Sequence, residues 1–527
     1  MVPFARSQDV LTWHNDIART GQNLNETILT PGNVKTATFG KLFVIPVDGK
    51  VDAQPLFVTA LPVPGKGVHN LLVVATEHAS VYAFDADTGV QIWQTSALQA
   101  GETPSDPRGC NQVVPEIGIS GTPVIDRAIG ANGAIYLTAM SKNSAGTYFQ
   151  RLHALDLATG AELFGGPKDV QASFPGSGDN SSGGFVIFDP GQYKQRPGLL
   201  LLNGTVYTAW GSHCDNTPYT GWIIGYNEST LAQTTVLNVV PNGSEGGIWG
   251  SGAGPAVDAS GNMYVLVGNG DFDTTLTNGF PSKGDYGNAF LKISTTGGLA
   301  VADYFEMDNE GSENEFDVDL GSGGALVLPD MTDTSNTVRH LAVGAGKDGN
   351  LYLVSRDNMG GYNSTSNQIY QPIGGALPGG IWSAPAYYNN LLYYGPVGQP
   401  ILAFQFSKAM LLTSPVAQTT NSFAYPGATP SVSAYQNIDG IVWATENTDP
   451  AVLHAYDATT LQEFYNSNQA SGGRDQFGTG NKFITPTIAH GKVYVGTTSG
   501  VAVFGLLQTA SSPRDKPPPP IRDRVPR

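Results

Sequence analysis

Along most of the chain, apolar and polar residues alternate in runs of about four to eight, broken by glycine and by Asp/Asn–Thr pairs. That pattern predicts short β-strands joined by tight turns. The clearest case is Val81 to Trp93, VYAFDADTGVQIW. Val81 and Ala83 alternate with Tyr82 and Phe84, apolar on both sides, as suits a strand packed on both faces. Asp85 and Thr88 can bond the turn's own backbone, and Gly89 supplies the positive φ that closes a hairpin. Versions recur at Leu152 to Phe164 (LHALDLATGAELF) and Leu453 to Phe464 (LHAYDATTLQEF). Looser ones begin at Ile223 (IIGYNESTLAQTTV) and Asn288 (NAFLKISTTGGLAV). One hairpin returning in phase marks a repeat protein, which a pair of β-sandwiches does not explain.

The full pattern passes eight times: a strand after a small-residue turn, a second apolar strand, a loop, a third strand and a fourth. The predicted fold is therefore all-β, an eight-bladed β-propeller of four-stranded antiparallel blades over residues 41–507. The last unit, TPTIAHGKVYVGTTSGVAVFG, stops after its third strand. The isolated strand Gly40 to Val47 (GKLFVIPV) would complete it and close the ring without an exposed edge. Residues 1–40 carry few strand signals and are expected to wrap the outside. Residues 508–527, SSPRDKPPPP and its flanks, read as a disordered Pro-rich tail.

Charge narrows the partners. A net charge of −17 with only 13% charged residues argues against nucleic acid or an anionic membrane. No apolar run reaches the roughly 18 residues of a membrane span. The N-terminal MVPFARSQDVLTW lacks a signal peptide's apolar core, so the chain is intracellular or its signal has been removed. Two cysteines cannot make a disulfide framework, and there is no CxxCH for covalent haem.

The signature A-x-D-x-x-T-G-x-x-x-W at Ala83–Trp93, its degenerate copy at Ala154–Phe164, the eight-unit count and the Gly-Thr-Pro-Val-Ile start at Gly121 resemble the quinoprotein alcohol dehydrogenase-like propellers. The resemblance spans residues 40–507 and implies the fold. The superfamily includes non-catalytic members such as the bacterial outer-membrane assembly lipoprotein. In its enzymes, pyrroloquinoline quinone (PQQ) lies in the central channel beside a calcium ion. A tryptophan floors the quinone, a bridge between adjacent cysteines caps it, and an aspartate acts as base. This chain has no adjacent cysteines, and no ligand transfers residue by residue.

In such blades, the loops before first strands and between second and third strands open on one face. That sorting gathers Asp52, Gln54, Trp249, Lys347, Trp382 and Asn481 as candidate substrate or cofactor contacts. It gathers Glu77, His78, Glu116, His213 and Asp319 as candidate acid–base groups, with His78 foremost because its loop is short. Ser212, His213 and Asp215 are the residue types of a hydrolytic triad, but sequence neighbours cannot take its geometry. Asn269, Asp271 and Asp273 place oxygens at alternating positions, as a calcium loop would, although Thr274 stands where a glycine is needed. Cys110 and Cys214 fall in rim loops of adjacent units, which allows a disulfide and, with it, export to an oxidising compartment. His153 and His454 occupy equivalent hairpin positions and read as packing residues.

Three functions are compatible with this rim. The first is a quinoprotein-type oxidoreductase acting on an alcohol or sugar with PQQ and Ca²⁺. The second is a non-catalytic scaffold holding a glycan or a protein. The third is a polysaccharide lyase or hydrolase using His78 and rim carboxylates such as Glu116. In each case a secreted or periplasmic monomer is expected.

Overall fold

The computed structural model describes residues 9–508. Among them β-structure dominates, and the one α-helix is the short Glu310–Glu315. Eight sheets contain four or five strands each. The first consists of Leu56–Val63, Gly67–Ala75, Ser80–Asp85 and Gln91–Ser96, paired in that order. The repeated hairpin closes as its residues dictate: Asp85 Oδ1 accepts from Thr88 N at 2.8 Å and Thr88 Oγ1 at 2.7 Å. Asp156 and Asp457 repeat that turn with Thr159 and Thr460. Ser80 to Phe84 are buried throughout because the sheet has a neighbour on each face.

One apolar cluster joins the first sheet to the second through Ile125, Ile135 and Leu155, and to the last through Tyr494, Val501 and Val503. Further clusters join each sheet to its successor, ending with Trp443 and Leu453 against Val493 and Phe504. The last sheet holds Thr487–Ala489, Lys492–Gly496 and Gly500–Leu506, and its fourth strand is Phe39–Pro46, in which Phe43 lies opposite Val503.

The N-terminal segment departs from expectation. Residues 9–26 do not lie outside; Val10, Trp13, His14, Arg19 and Glu26 are buried. The segment runs past the first strand of every sheet. Val10 bridges to Phe57. The carbonyls of Leu11, Ile17, Ala18, Thr20 and Gly21 accept from the amides of Ile125, Val257, Val327, Tyr387 and Val432 at 2.7 to 3.0 Å. Arg19 Nη2 reaches Leu199 O at 3.4 Å, and Asn23 Nδ2 reaches Ile488 O at 2.9 Å. Trp13 packs with Ala253 and Ala384, which precede the fourth and sixth sheets. The sequence hides this because first-strand amides left over by one sheet are satisfied by irregular backbone that has no period of its own. The expected Pro-rich tail lies, apart from Gln508, outside the described residues.

Candidate functional site

Loops from most of the sheets converge on one cavity of about 370 Å³. Trp249, Trp382, Tyr425 and Phe483 give it aromatic walls. Trp249 is bedded on three glycines. A Cβ at Gly211, Gly247 or Gly268 would come within 2.7, 2.9 or 2.6 Å of its ring. Tyr219 meets the same ring edge-on, with centroids 6.0 Å apart. The disulfide between Cys110 and Cys214, whose Cα atoms are 5.6 Å apart, forms another wall.

One side is acidic. Asp215, Asp317 and Asp319 line it together with Lys347. Lys347 Nζ contacts Asp317 Oδ1 and stands 3.3 Å from Asp319 Oδ2. Asn269 Nδ2 donates to Asp317 Oδ1 at 2.6 Å. Asp319 is 1% exposed, and its Oδ1 has no hydrogen-bond partner; neither has Asn269 Oδ1. Burial pushes the Asp319 carboxyl up to about 7, with Lys347 opposing and Asp317 and Asp215 adding to the rise.

The other side is basic. Tyr193 and Lys194 pair with Ser212 and Gly211, which puts Lys194 and Arg196 in the wall. Beneath them are two buried acids. Glu77 accepts from Gly118 N at 2.8 Å and Ser120 Oγ at 2.7 Å, and Asp52 accepts from Asn481 Nδ2 at 2.8 Å. Burial and Asp52 raise the Glu77 carboxyl while burial lowers the Lys194 ammonium, their mutual attraction resisting both shifts. Arg196 Nη1 donates to Ser120 O at 3.2 Å, but Nη2, on a side chain 7% exposed, has no partner.

The expected residues divide into groups. Trp249, Lys347, Trp382 and Asp319 line the cavity with both cysteines. Asp52, Glu77 and Asn481 are buried in the network below. Gln54 instead serves the N-terminal segment, its Oε1 accepting from His14 N at 2.8 Å. His78 and Glu116 bond each other at 2.9 Å, and neither lines the cavity, so His78 loses its place as foremost acid–base group. His213 is 2% exposed, with neither ring nitrogen making a hydrogen bond of normal geometry; burial first, then Lys194 and Arg108, lower its pKa to about 3. The calcium loop is not assembled as such. Asp273 accepts from Thr275 N, Ser282 Oγ and Lys283 N, closing its own turn, and Asp271 accepts from Ser244 N. Among the described residues no group of three or more His, Cys, Asp or Glu gathers at metal-binding spacing. Lys194, Arg196, Gln112, Tyr425 and Phe483 were missed. The cationic Tyr193–Arg196 stretch stands directly before a first strand, so the loop rule applied there would have found it.

No protein-family model matches the sequence, and no curated protein matches it either. Solved structures do. The quinohemoprotein alcohol dehydrogenase from Comamonas testosteroni superposes with a TM-score of 0.61 at 15% identity, over 96% of this chain and 82% of that one. The quinohemoprotein alcohol dehydrogenase ADHIIG from Pseudomonas putida HK5 gives 0.61 at 13% identity, over 98% and 83%. A europium-containing methanol dehydrogenase gives 0.59 at 12% identity, over 94% and 98%. The fold is that of the quinoprotein propellers. Identity this low shows the fold alone, so the chemistry of this chain has to be read from its own cavity.

Proposed function

We propose that the eight sheets are the blades of one ring closed by Phe39–Pro46, and that its cavity binds PQQ with a calcium ion to oxidise a small alcohol. One observation carries the functional reading. Three buried polar atoms without partners, Arg196 Nη2, Asp319 Oδ1 and Asn269 Oδ1, sit at or beside a cavity walled by an indole face and a disulfide. Buried polar groups without partners are costly and point to a missing ligand. Lys194 and Arg196 offer cations for the carboxylates of a planar quinone, and Trp249 offers a flat apolar face for its rings. Asn269 Oδ1 is an oxygen donor that would help hold calcium, a hard cation. The quinone, when bound, supplies the two-electron acceptor.

The chain supplies the rest. Asp319 takes the alcohol proton, which requires its carboxylate form. Lys347 favours that form by its charge, and the acids Asp317 and Asp215 oppose it. The carboxylate form is the active one, so activity rises with pH as Asp319 ionises. The enclosed volume suits a small alcohol better than a polymer, and the lyase reading loses its base because His78 stands off the cavity. The disulfide fits export to an oxidising compartment, and the chain acts as a monomer.

The test is alcohol-dependent dye reduction after adding PQQ and Ca²⁺. Turnover by the wild type and its loss by about a hundredfold or more in Asp319→Asn support the reading. Equal dye reduction by both proteins, or none by either despite bound quinone, refutes it.

A further inference from the structure

The segment 106–116 contributes part of the cavity wall, and its two sides are attached very differently. Cys110, Gln112 and Val113 line the cavity from this segment. On the side of the second and third sheets the attachment is covalent, Cys110 to Cys214. Around it, Arg108 Nε donates to Gly191 O at 2.8 Å, the Arg108 guanidinium lies 4.2 Å from the centre of the Tyr148 ring, and Asp106 pairs with Lys142 at 2.7 Å. On the opposite side Gln112 Oε1 accepts from Tyr425 Oη at 3.2 Å and from Lys482 Nζ at 3.3 Å. Tyr425 and Lys482 belong to the loops before the seventh and eighth sheets. Gln112 is exposed, so water competes for both bonds. At the root, just before Cys110, Arg108 and Gly109 are both left-handed, with φ of 54° and 77°, which bends the chain sharply there. Trp13 packs against Ala253 and Ala384, two residues beyond the wall residues Ser251 and Trp382.

We propose that residues 106–116 form a strap over one side of the cavity, and that Gln112 is the latch residue that sets how readily solutes enter. The covalent root and the buried Val113, packed on Ile117 and Met140, keep the strap in register, while the exposed Gln112 side chain releases and relatches. While the latch is closed, solutes of any kind enter slowly, and its release speeds their entry. The inference rests on the functional reading for the identity of the visitors, but its gate is a property of the protein without any ligand.

The chain itself carries the probe. Of its seven tryptophans, Trp13, Trp93, Trp210, Trp222 and Trp443 are buried, and the two that are partly exposed, Trp249 and Trp382, both line the cavity. Acrylamide quenching of tryptophan fluorescence in the full chain therefore reads access beneath the strap. Gln112→Ala removes the latch acceptor and is expected to raise the quenching constant about two- to fivefold. Gln112→Glu gives Lys482 and Tyr425 a charged acceptor and is expected to lower it. Tyr425→Phe deletes one of the two donors and gives a smaller rise. In stopped-flow mixing, PQQ enters Gln112→Ala faster than wild type and Gln112→Glu more slowly. Opposite shifts in the two Gln112 variants support the gate, whether or not PQQ binds. Quenching constants equal to wild type in both overturn it, even if PQQ binds and turns over.

Discussion

Arg19→Met tests the N-terminal segment, since a fully buried guanidinium is its most heavily bonded group. Nε donates to Pro255 O at 3.0 Å, and Nη1 to Thr12 Oγ1 and Trp13 O, both at 2.8 Å. Burial lowers the Arg19 pKa to about 10, with Asp16 resisting, so the group stays charged at neutral pH. Methionine matches the stem but leaves those acceptors without donors in a water-free site. Breaking such a buried charged set costs about 3–5 kcal/mol. For a chain of this length the entropy of unfolding is roughly 1 kcal/mol per kelvin, so the melting temperature falls by about 3–5 K. Scanning calorimetry measures it, with Arg19→Lys falling between the variant and wild type. Hydrogen exchange adds location, because the amides of Val257, Val327, Tyr387 and Val432 donate to this segment and should lose protection together. A melting temperature within about 1 K of wild type with unchanged protection at those amides would refute the claim that the segment pins the first strands.

Three further outcomes follow from other groups. Burial alone would lower the His454 pKa, but the hydrogen bonds it donates to Glu446 and Glu463 raise it above the unfolded value near 6.5. Its contribution is thus complete below about pH 6.5 and fades as pH climbs through the raised folded value; His454→Asn should lose more stability at about pH 5.5 than at about pH 9 in urea melts. Reducing Cys110–Cys214, or replacing both by Ser, frees a span of 104 residues and should cost about 2–5 kcal/mol in the same melts. Lys347→Met removes the charge that favours the Asp319 carboxylate, so the rising limb of the pH–rate profile moves to higher pH; a limb that stays put excludes Asp319 as the base.

The hairpins were legible because each is sealed within itself: Asp85, Asp156 and Asp457 cap their own turns with a threonine three residues on, so the signal is local. The cavity was half legible for a related reason. Trp249, Lys347, Trp382 and Asp319 follow from sorting loops by their place in the repeat, without any long-range pairing. What failed depended on direction. Whether His78 turns to the channel or to Glu116, and whether Asp273 faces a cation or its own Ser282, is set by side-chain partners far away in the fold or by a turn the spacing does not specify. The N-terminal segment was misplaced because its job is to satisfy amides of six first strands and carbonyls beside two more, and irregular backbone written for that purpose has no hydrophobic period to read.

A structure of the chain grown with PQQ and Ca²⁺ tests the central claim most directly. The account predicts the quinone against Trp249, beneath the Cys110–Cys214 disulfide, with Arg196 and Asp319 no longer lacking partners. A quinone bound elsewhere, or a cavity still holding only water at saturating quinone, would contradict it.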